Sequence, residues 1–466
     1  MITRADIVER AAEWGLAESV VEKDYVIGWL LWGIGAHPVL SRYWAFKGGT
    51  CLKKCYFETY RFSEDLDFSV LPGSALLSAD QVFDEEKVRK ATQEVLERVQ
   101  EESGIDLAAR ELYLKSMFEG RALEGRVYYL GPSGSTQVAK IKLDISGTEV
   151  VVRPTVLMPV RHSFPDDLPS PATVRTYSFE EVFAEKIRAM GQRGRPRDLY
   201  DIVNLYRHQG LGKEPALIFE VLQEKCSSKG IPVPTYAAVM SDTTRDELES
   251  EWDNMLAHQL PSLPSVEFYL NELESLFLWL SGELELEDLP EATLPGSADE
   301  SWEPPPIIST WDGAPIESVR FAAANLLLIK LGYKGGHRIV EPYSLRKSSA
   351  GHLLLYAQRP EEPHIKAYRV DRIEGVEVQR GVFEPRYPVE FTPGGAITAR
   401  PTRGGPRGGR SRGLRRAWRA PQTTYDYTVE CPVCGKTFPR KTPSTKLNKH
   451  KNSDGYPCPG RHGYLM

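Results

Sequence analysis

The stretch from Lys47 to Val70, KGGTCLKKCYFETYRFSEDLDFSV, constrains this chain more than any other. Side chains two apart in an extended segment share a face. An extended run here therefore sets Arg61, Ser63, Asp65 and Asp67 on one side. Phe62, Leu66 and Phe68 fall on the other and predict a core face, with Glu64 the exception. Asp65 and Asp67 stand about 7 Å apart along such a strand, close enough to grip a divalent cation. Hard carboxylate oxygens suit Mg2+, which usually takes one or two of them and leaves its other positions to substrate phosphates. Upstream, Lys47-Gly48-Gly49-Thr50 lets backbone N–H groups approach an anion closely, and a helix opening near Leu52 favours negative charge at its N-terminus. A glycine pair alone is an ordinary turn, and Asp-x-Asp alone an ordinary solvated edge. Their combination at this spacing predicts a nucleotide- and metal-handling site.

With 466 residues the chain has length for two or three domains and a sizeable core. A net charge of −6 excludes a uniformly basic nucleic-acid coat, so any basic surface is local. The apolar run from Tyr25 to Leu40 holds Gly28, Gly33, Gly35, His37 and Pro38 and is too short to span a bilayer. It predicts a buried helix, and with no signal peptide the expectation is a cytoplasmic protein without a membrane partner. Half of the six cysteines sit in the last 36 residues, a distribution of a metal cluster rather than a disulfide framework.

Along the chain, residues 1–36 predict two helices, the first capped by Thr3 with Asp6 three residues on. Residues 79–103 predict an amphipathic helix with Val82, Val88, Val95 and Val99 as apolar positions. Residues 126–130 and 137–146 alternate as strands. In the second, AKIKLDIS, Lys140, Lys142 and Asp144 share a face. Asp144 is either a third carboxylate for a metal-assisted phosphoryl transfer or part of a Lys–Asp surface ladder. Next, SFEEVFAEKIRAMGQRGRPRDLYDIVNLY begins with a capping box, Ser178 and Glu181. It breaks between Gly191 and Pro196 and gathers Arg193, Arg195, Arg197, Asp198 and Asp201 at one corner. Lys186 is then a contact for triphosphate oxygens, and Asp198 positions or deprotonates an attacking hydroxyl. The alternative is a structural salt-bridge corner. Residues 209–279 predict further helices.

Together these residues resemble the AbiEii/AbiGii toxin family of nucleotidyltransferases, relatives of the DNA polymerase β superfamily. The resemblance rests on VEKDYVIGWLL (21–31), KGGTCLKK (47–54), RFSEDLDF (61–68), KLDIS (142–146) and AEKIRAMGQRGRPRDLYDI (184–202). It implies an α/β fold, a polymerase-β-like nucleotidyltransferase core with a helical C-terminal part. It also implies a nucleoside triphosphate, Mg2+ as catalytic cofactor and, as for some relatives, action on tRNA ends by a toxin paired with an antitoxin protein. On this basis Gly48, Gly49 and Thr50 sit at the phosphates, with Lys47, Arg61, Ser63, Arg193 and Arg197 beside them. Asp65 and Asp67 bind the metal, Asp144 follows the superfamily's logic as third ligand, and Lys186 and Asp198 form the late catalytic pair.

Family members are commonly this domain alone, whereas here more chain follows. The expected division is residues 1–281 for the nucleotidyltransferase domain and 282–306 for an acidic, Pro-rich linker. Residues 307–391, with VEPYSLRKSSAGHLLLYAQ and KAYRVDRIEGVEV, are similar to the WYL domain, a small SH3-like β-barrel. Its namesake triplet is reduced to His352-Leu353-Leu354. Arg338, Tyr343, Ser344, Arg346, Tyr368, Arg369 and Arg372 fall where that domain gathers side chains for a ligand or nucleic acid. The alternative is alternating strand faces with tyrosine in the core. Residues 392–424 are Arg/Gly-rich, and the stretch to Gln422 carries eight arginines and no acid. That predicts a disordered polyanion-binding segment. Residues 425–466 carry Cys431-x-x-Cys434, His450 and Cys458, a set for structural Zn2+ in which His462 could replace His450. Lys446 to Lys449 suggests a short helix leading into His450.

The expected activity is Mg2+-dependent transfer of a nucleotide from a triphosphate to an acceptor hydroxyl of RNA, tRNA in particular, brought by the basic tail. DNA stays open as the tail's target, and so does a protein or small-molecule acceptor. The alternative from another class is a nucleic-acid-binding regulator whose first domain only senses nucleotide. A missing aspartate would favour it, and none is missing.

Overall fold

The computed structural model describes residues 1–57, 60–207, 214–286, 289–296 and 316–391. In the tail it describes 427–434, 436–440, 446–447, 450–451, 457–458 and 464–465. Two compact units form, Met1–Thr402 and Arg403–Met466.

The first unit begins with α1 (Arg4–Trp14), closed at both ends by its own sequence. Thr3 and Asp6 exchange side-chain and backbone bonds as a capping box, and Gly15 takes the left-handed conformation after the last turn. The apolar run becomes α2 (Glu18–Ala36), buried nearly all round. Its glycines let other elements come close. A Cβ on Gly35 would lie 1.9 Å from the carbonyl oxygen of Thr173, and one on Gly33 would lie 2.5 Å from a methyl of Val99. No helix among the described residues is long and apolar enough to cross a membrane.

After α3 (Leu40–Tyr43) the chain enters the sheet as β1 (Trp44–Lys47) and turns into α4 (Gly48–Cys51), continued by a π-helical turn, Leu52–Tyr56. Then come β2 (Asp65–Val70), α5 (Glu85–Ser103), β3 (Tyr113–Met117), β4 (Ala122–Tyr129), β5 (Ala139–Ser146), β6 (Val156–Pro159) and β7 (Thr173–Thr176). The helix expected over 79–103 starts later, because Asp84 accepts from the Lys87 N–H and caps it there, leaving Val82 outside. The seven strands order as β3-β4-β5-β2-β1-β7-β6. β2 lies centrally, antiparallel to β1 and parallel to β5. Beneath the sheet a buried ion pair, Lys54–Asp24 at 2.6 Å, ties the π-helical turn to α2.

The helical part follows as α6 (Phe179–Arg193), α7 (Pro196–Arg207), α8 (Pro215–Ser228), α9 (Tyr236–Val239), α10 (Asp242–Leu256) and α11 (Val266–Ser281). Gly194 in the left-handed conformation ends α6, and Pro196 opens α7. Next come α12 (Ile316–Ala324), β8 (Leu327–Tyr333), β9 (Gly336–Lys347), β10 (Leu353–Gln358), β11 (Lys366–Arg369) and β12 (Ile373–Val382). These strands pair antiparallel in the order β11-β10-β9-β8-β12. This module is not hung on a free tether. Val319 and Phe321 of α12 belong to the same apolar core as α1 and α2, and the Tyr200 hydroxyl donates to Asn325 Oδ1 at 2.8 Å. Within the acidic Pro-rich segment, Ala292 and Leu294 pack against the sheet module, and the carbonyl of Pro295 accepts from Tyr356.

In the second unit, β13 (Tyr427–Glu430) pairs with β14 (Thr437–Arg440) and β17 (Tyr464–Leu465), while β15 (His450–Lys451) pairs with β16 (Pro457–Cys458). The Arg/Gly-rich segment lies outside the described residues.

The Thr173 carbonyl leaves no room at Gly35, so Gly35→Ala forces α2 away from β7. The expected cost is about 1–3 kcal/mol, that of an overpacked core. A lowered unfolding temperature of the full chain checks it, and an unchanged one refutes the contact.

Candidate active site

The glycine turn and the two aspartates meet because β1 and β2 are adjacent. Lys47 is in register with Asp67, and the next residue, Gly48, sits at φ +81°. A Cβ there would lie 2.3 Å from Asp67 Oδ2, and one on Gly49 would lie 2.5 Å from an Arg61 terminal nitrogen. The glycines thus clear space for an acid and a guanidinium as well as leaving backbone accessible. The buried hydroxyl of Thr50 donates to the Asp65 carbonyl, so it pins the start of β2.

On the other side of β2, Asp65 stands opposite Lys142 and Asp67 opposite Asp144, residue for residue. The three carboxylates border a cleft of about 370 Å³. Its lining also includes Lys47, Gly48, Gly49, Arg61, Ser63, Lys186, Arg193, Arg197 and Asp198. Of the residues singled out for catalysis or nucleotide binding, Thr50 alone is missing from that wall. The alternation expected from Arg61 onward holds only from Asp65, where the strand begins. Phe62 nevertheless turns inward, its ring 5.1 Å from that of Trp14.

The acid side of the cleft is short of positive charge. Burial pushes the Asp67 carboxyl up, Asp144 and Asp65 add to this, and Lys47 and Lys186 oppose it, leaving it at about 6. Asp65 is also raised, first by burial, with Lys142 pulling the other way. Lys142 is 2.7 Å from Asp144, with both side chains well exposed. Hard oxygen donors of this kind, two of them held above their usual range chiefly by burial, fit a divalent cation.

The opposite wall is built on buried ion pairs. Asp201 is fully buried and receives Arg61 through two bonds, Nε to Oδ1 at 2.7 Å and Nη2 to Oδ2 at 2.6 Å. Lys186 adds a third contact at 2.7 Å. Burial raises the Asp201 carboxyl, but Arg61 and Lys186 outweigh it and hold it down at about 2. Asp198, equally buried, takes Arg193 at 2.7 and 2.9 Å and lies 3.6 Å from Lys186. Both Asp198 oxygens are therefore engaged, which suits a residue that holds two cations toward the cleft. Arg197 keeps a buried Nε without a hydrogen-bond partner among the described residues, and burial and nearby Arg61 lower its affinity for the proton.

Sequence reasoning missed the floor of the cleft. Lys47 pairs with Glu149 and sits 5.9 Å from the centre of the Tyr177 ring. Arg188 reaches Glu149 and Glu185, and Lys225 reaches Glu181 at 2.7 Å and Glu185 at 3.2 Å. Burial raises the Glu185 carboxyl, but Lys47, Lys225 and Arg188 together hold it well below its usual range. The available signal was charge at helical spacing on an apolar face, Glu181, Glu185 and Arg188 on α6. Ser178 caps α6 as expected, yet the Glu181 carboxylate turns away to the N–H groups of Val152 and Arg153. These are closer to hand than the cap's own backbone, so the expected capping box is only half made.

The sheet module pairs its candidates with different partners. Arg338 lies over Tyr333 and Tyr368, at 5.5 and 5.9 Å. Arg369 pairs with Asp371, and Arg372 is exposed. Tyr343 is buried, donating to Glu341 at 2.8 Å, and Arg346 pairs with Glu390. In the tail, Cys431, Cys434 and Cys458 place their sulfurs within 4.8 Å of one another. His450 is opposite Cys458 in register. His450 and Lys451 pair as a strand with Cys458 and Pro457; Lys446 and Leu447 are not helical, and the rest of the short helix expected before His450 lies outside the described residues. His462 lies outside the described residues.

The Asp67 carboxyl favours its proton more in the fold than at its ordinary 3.8. Its ionised form therefore weakens the fold, an effect absent below pH 4 and complete above pH 6. Asp67→Asn is expected to stabilise the chain at pH 8 by about 1–3 kcal/mol and to lose that gain toward pH 4. Melting curves at the two pH values check this.

A family model described as nucleotidyl transferase AbiEii toxin, type IV toxin–antitoxin system, matches residues 29–272. No curated protein matches the chain. Among solved structures it is similar to MenT4, a nucleotidyltransferase toxin from Mycobacterium tuberculosis H37Rv, at 20% identity and a TM-score of 0.42, covering 61% of this chain and 91% of that one. Matched over more than half of its 466 residues, the chain belongs to the AbiEii nucleotidyl transferase toxin family.

Proposed function

We propose that this nucleotidyltransferase moves a nucleotide from a nucleoside triphosphate to a hydroxyl of RNA, tRNA in particular, as the toxin of a toxin–antitoxin pair. The carrying observation is the division of one cleft into an acid side, Asp65, Asp67 and Asp144, and a cationic side, Lys186, Arg193 and Arg197. A triphosphate needs both: donors for its charge-balancing metal, and fixed cations for the oxygens that leave. The acceptor oxygen attacks the α-phosphorus in line, the bond to the bridging oxygen breaks, pyrophosphate departs, and the acceptor proton is lost to water or a cleft carboxylate.

Asp65 and Asp67 would hold Mg2+, with Asp144 as third ligand, and the ion would neutralise charge developing on the transferring phosphate. Gly48 and Gly49 offer backbone N–H groups, and Lys186, Arg193 and Arg197 face the leaving phosphates. Asp198, with both oxygens taken, orients Lys186 and Arg193. Arg61 acts from within the wall by holding Asp201. The family description, a type IV toxin, supports a cognate antitoxin as partner.

In the same reading the chain divides at 282–306 and 392–424. Residues 307–391 act as a WYL-like sensing module, and the tail carries Zn2+ on Cys431, Cys434, Cys458 and His450. Three sulfurs so close together are the donor set of a structural zinc site. The tail's lysines and the arginine-rich segment bring nucleic acid.

Incubation with each α-labelled nucleoside triphosphate, Mg2+ and total cellular RNA tests the reaction. Label is expected in an RNA band with the wild type, and Asp65→Ala should lower the rate by about 10³-fold or more. Full activity of Asp65→Ala would sink the mechanism. For the tail, elemental analysis should find one zinc per chain and none after Cys431→Ser; zinc retained by that variant would refute the ligand set.

A further inference from the structure

A second groove, of about 530 Å³, opens beside β4 and β5, the latter being the strand that also carries Asp144 of the acid cleft. Four cations line it, Lys23, Arg110, Arg126 and Lys140, against one acid, Glu22. That acid accepts from the Ser133 N–H at 2.8 Å, and Lys23 pairs with Glu64 at 2.5 Å, so Arg110, Arg126 and Lys140 are the cations that face a ligand there. Two of the cations are stacked on aromatic rings: Arg110 lies 4.6 Å from the centre of Tyr128, and Arg126 lies 4.8 Å from that of Tyr113. Arg126 also pairs with Glu124 at 2.9 Å, but both partners are partly exposed. Such a pair contributes little and is readily exchanged for a phosphate.

Strand register makes the groove continuous with the cleft. Tyr113 stands opposite Arg126, Arg126 opposite Lys142, and Lys142 opposite Asp65. Tyr128 stands opposite Lys140 in the neighbouring row. Residues opposite each other in a ladder share a face, so the strip runs across one surface straight to the metal-binding acids. At about 4.8 Å per strand, Arg126 stands about 10 Å from Asp65.

We propose that this strip is the track for the acceptor strand, a single-stranded RNA segment whose terminal hydroxyl is delivered to Asp65 and Asp67. The inference rests on the reading of the cleft as a nucleotidyltransferase site with an RNA acceptor. Single-stranded nucleic acid is recognised by cations that follow the backbone and by planar groups on which bases stack, and the groove supplies both. An acidic protein segment would satisfy the cations but not use the planes.

The test uses the full chain and Arg110→Ala/Lys140→Ala, both positions exposed and outside the acid cleft. A single-stranded RNA carrying 4-thiouridine near its 3′ end serves as acceptor and crosslinker. The variant is expected to raise the KM for RNA about tenfold or more, with its salt dependence flattened by about 1.4 in log–log slope for two lost phosphate contacts. Its KM for the triphosphate and its kcat should stay near wild type, which also shows it to be folded. Crosslinks should fall between residues 110 and 140 in the wild type. An unchanged RNA KM with crosslinks confined to the tail overturns the track. A poly-glutamate peptide that displaces the RNA at equal charge overturns it in favour of an acidic protein partner. Crosslinking in the groove with no nucleotide transferred would instead remove the RNA-acceptor reading of the cleft and leave the strip as an RNA-binding surface.

Discussion

The bidentate pair between Arg61 and Asp201 is the constraint on which the cleft depends. Asp201 has no exposed surface and Arg61 almost none, so neither charge can be hydrated in the fold. Taking one away strands the other, a loss that typically costs about 3–5 kcal/mol. The pair joins the segment entering β2 to α7, two pieces of chain far apart in sequence. Once it is made, Lys186 has an acceptor at 2.7 Å, Asp198 follows on the same helix, and Arg193 closes on Asp198. The cationic wall of the cleft is thus assembled around two buried carboxylates, Asp201 and Asp198.

The acid side is built on the opposite principle. Asp65, Asp67 and Asp144 are placed by strand register, which the backbone ladder enforces whatever charge the side chains carry. Ladder bonds and the apolar faces of β2 and β5, with Leu66, Phe68, Leu143 and Ile145 all buried, offset the repulsion. The result is a site in which Asp65 and Asp67 are raised, chiefly by burial, while the groups of the opposite wall are paired. Such local inconsistency is what a sequence tolerates where a ligand completes the structure.

How much of this was legible follows from the range of each interaction. Alternation is local, so DLD and KLDIS announced their own shared faces, and the left-handed stop at Gly194 with Pro196 behind it announced the break between α6 and α7. The choice of partner is not local. Nothing in the sequence around Arg61 names Asp201, and nothing near Lys47 names Glu149. The same limit explains Glu181, whose position three residues after a capping serine matched a local motif while a tertiary contact with Val152 and Arg153 won. It also explains Gly35, whose purpose is a carbonyl on β7.

The helix that carries the site's buried acids also carries the sheet module. α7 sends Asp198 and Asp201 into the cleft wall, while Tyr200, between them in sequence, points its hydroxyl at Asn325 beyond the end of α12. Successive residues on a helix are 100° apart, so one turn of α7 serves both. Tyr200 is itself fully buried, stacked 5.4 Å from Tyr269 and edge-on to Tyr60, and Tyr60 donates to Asp201. Moving α12 relative to α7 would break the Tyr200 bond and expose Val319 and Phe321. Moving α7 to follow it would disturb the carboxylate that holds Arg61 and Lys186. The sheet module and the cleft therefore share the packing of α7 at this contact.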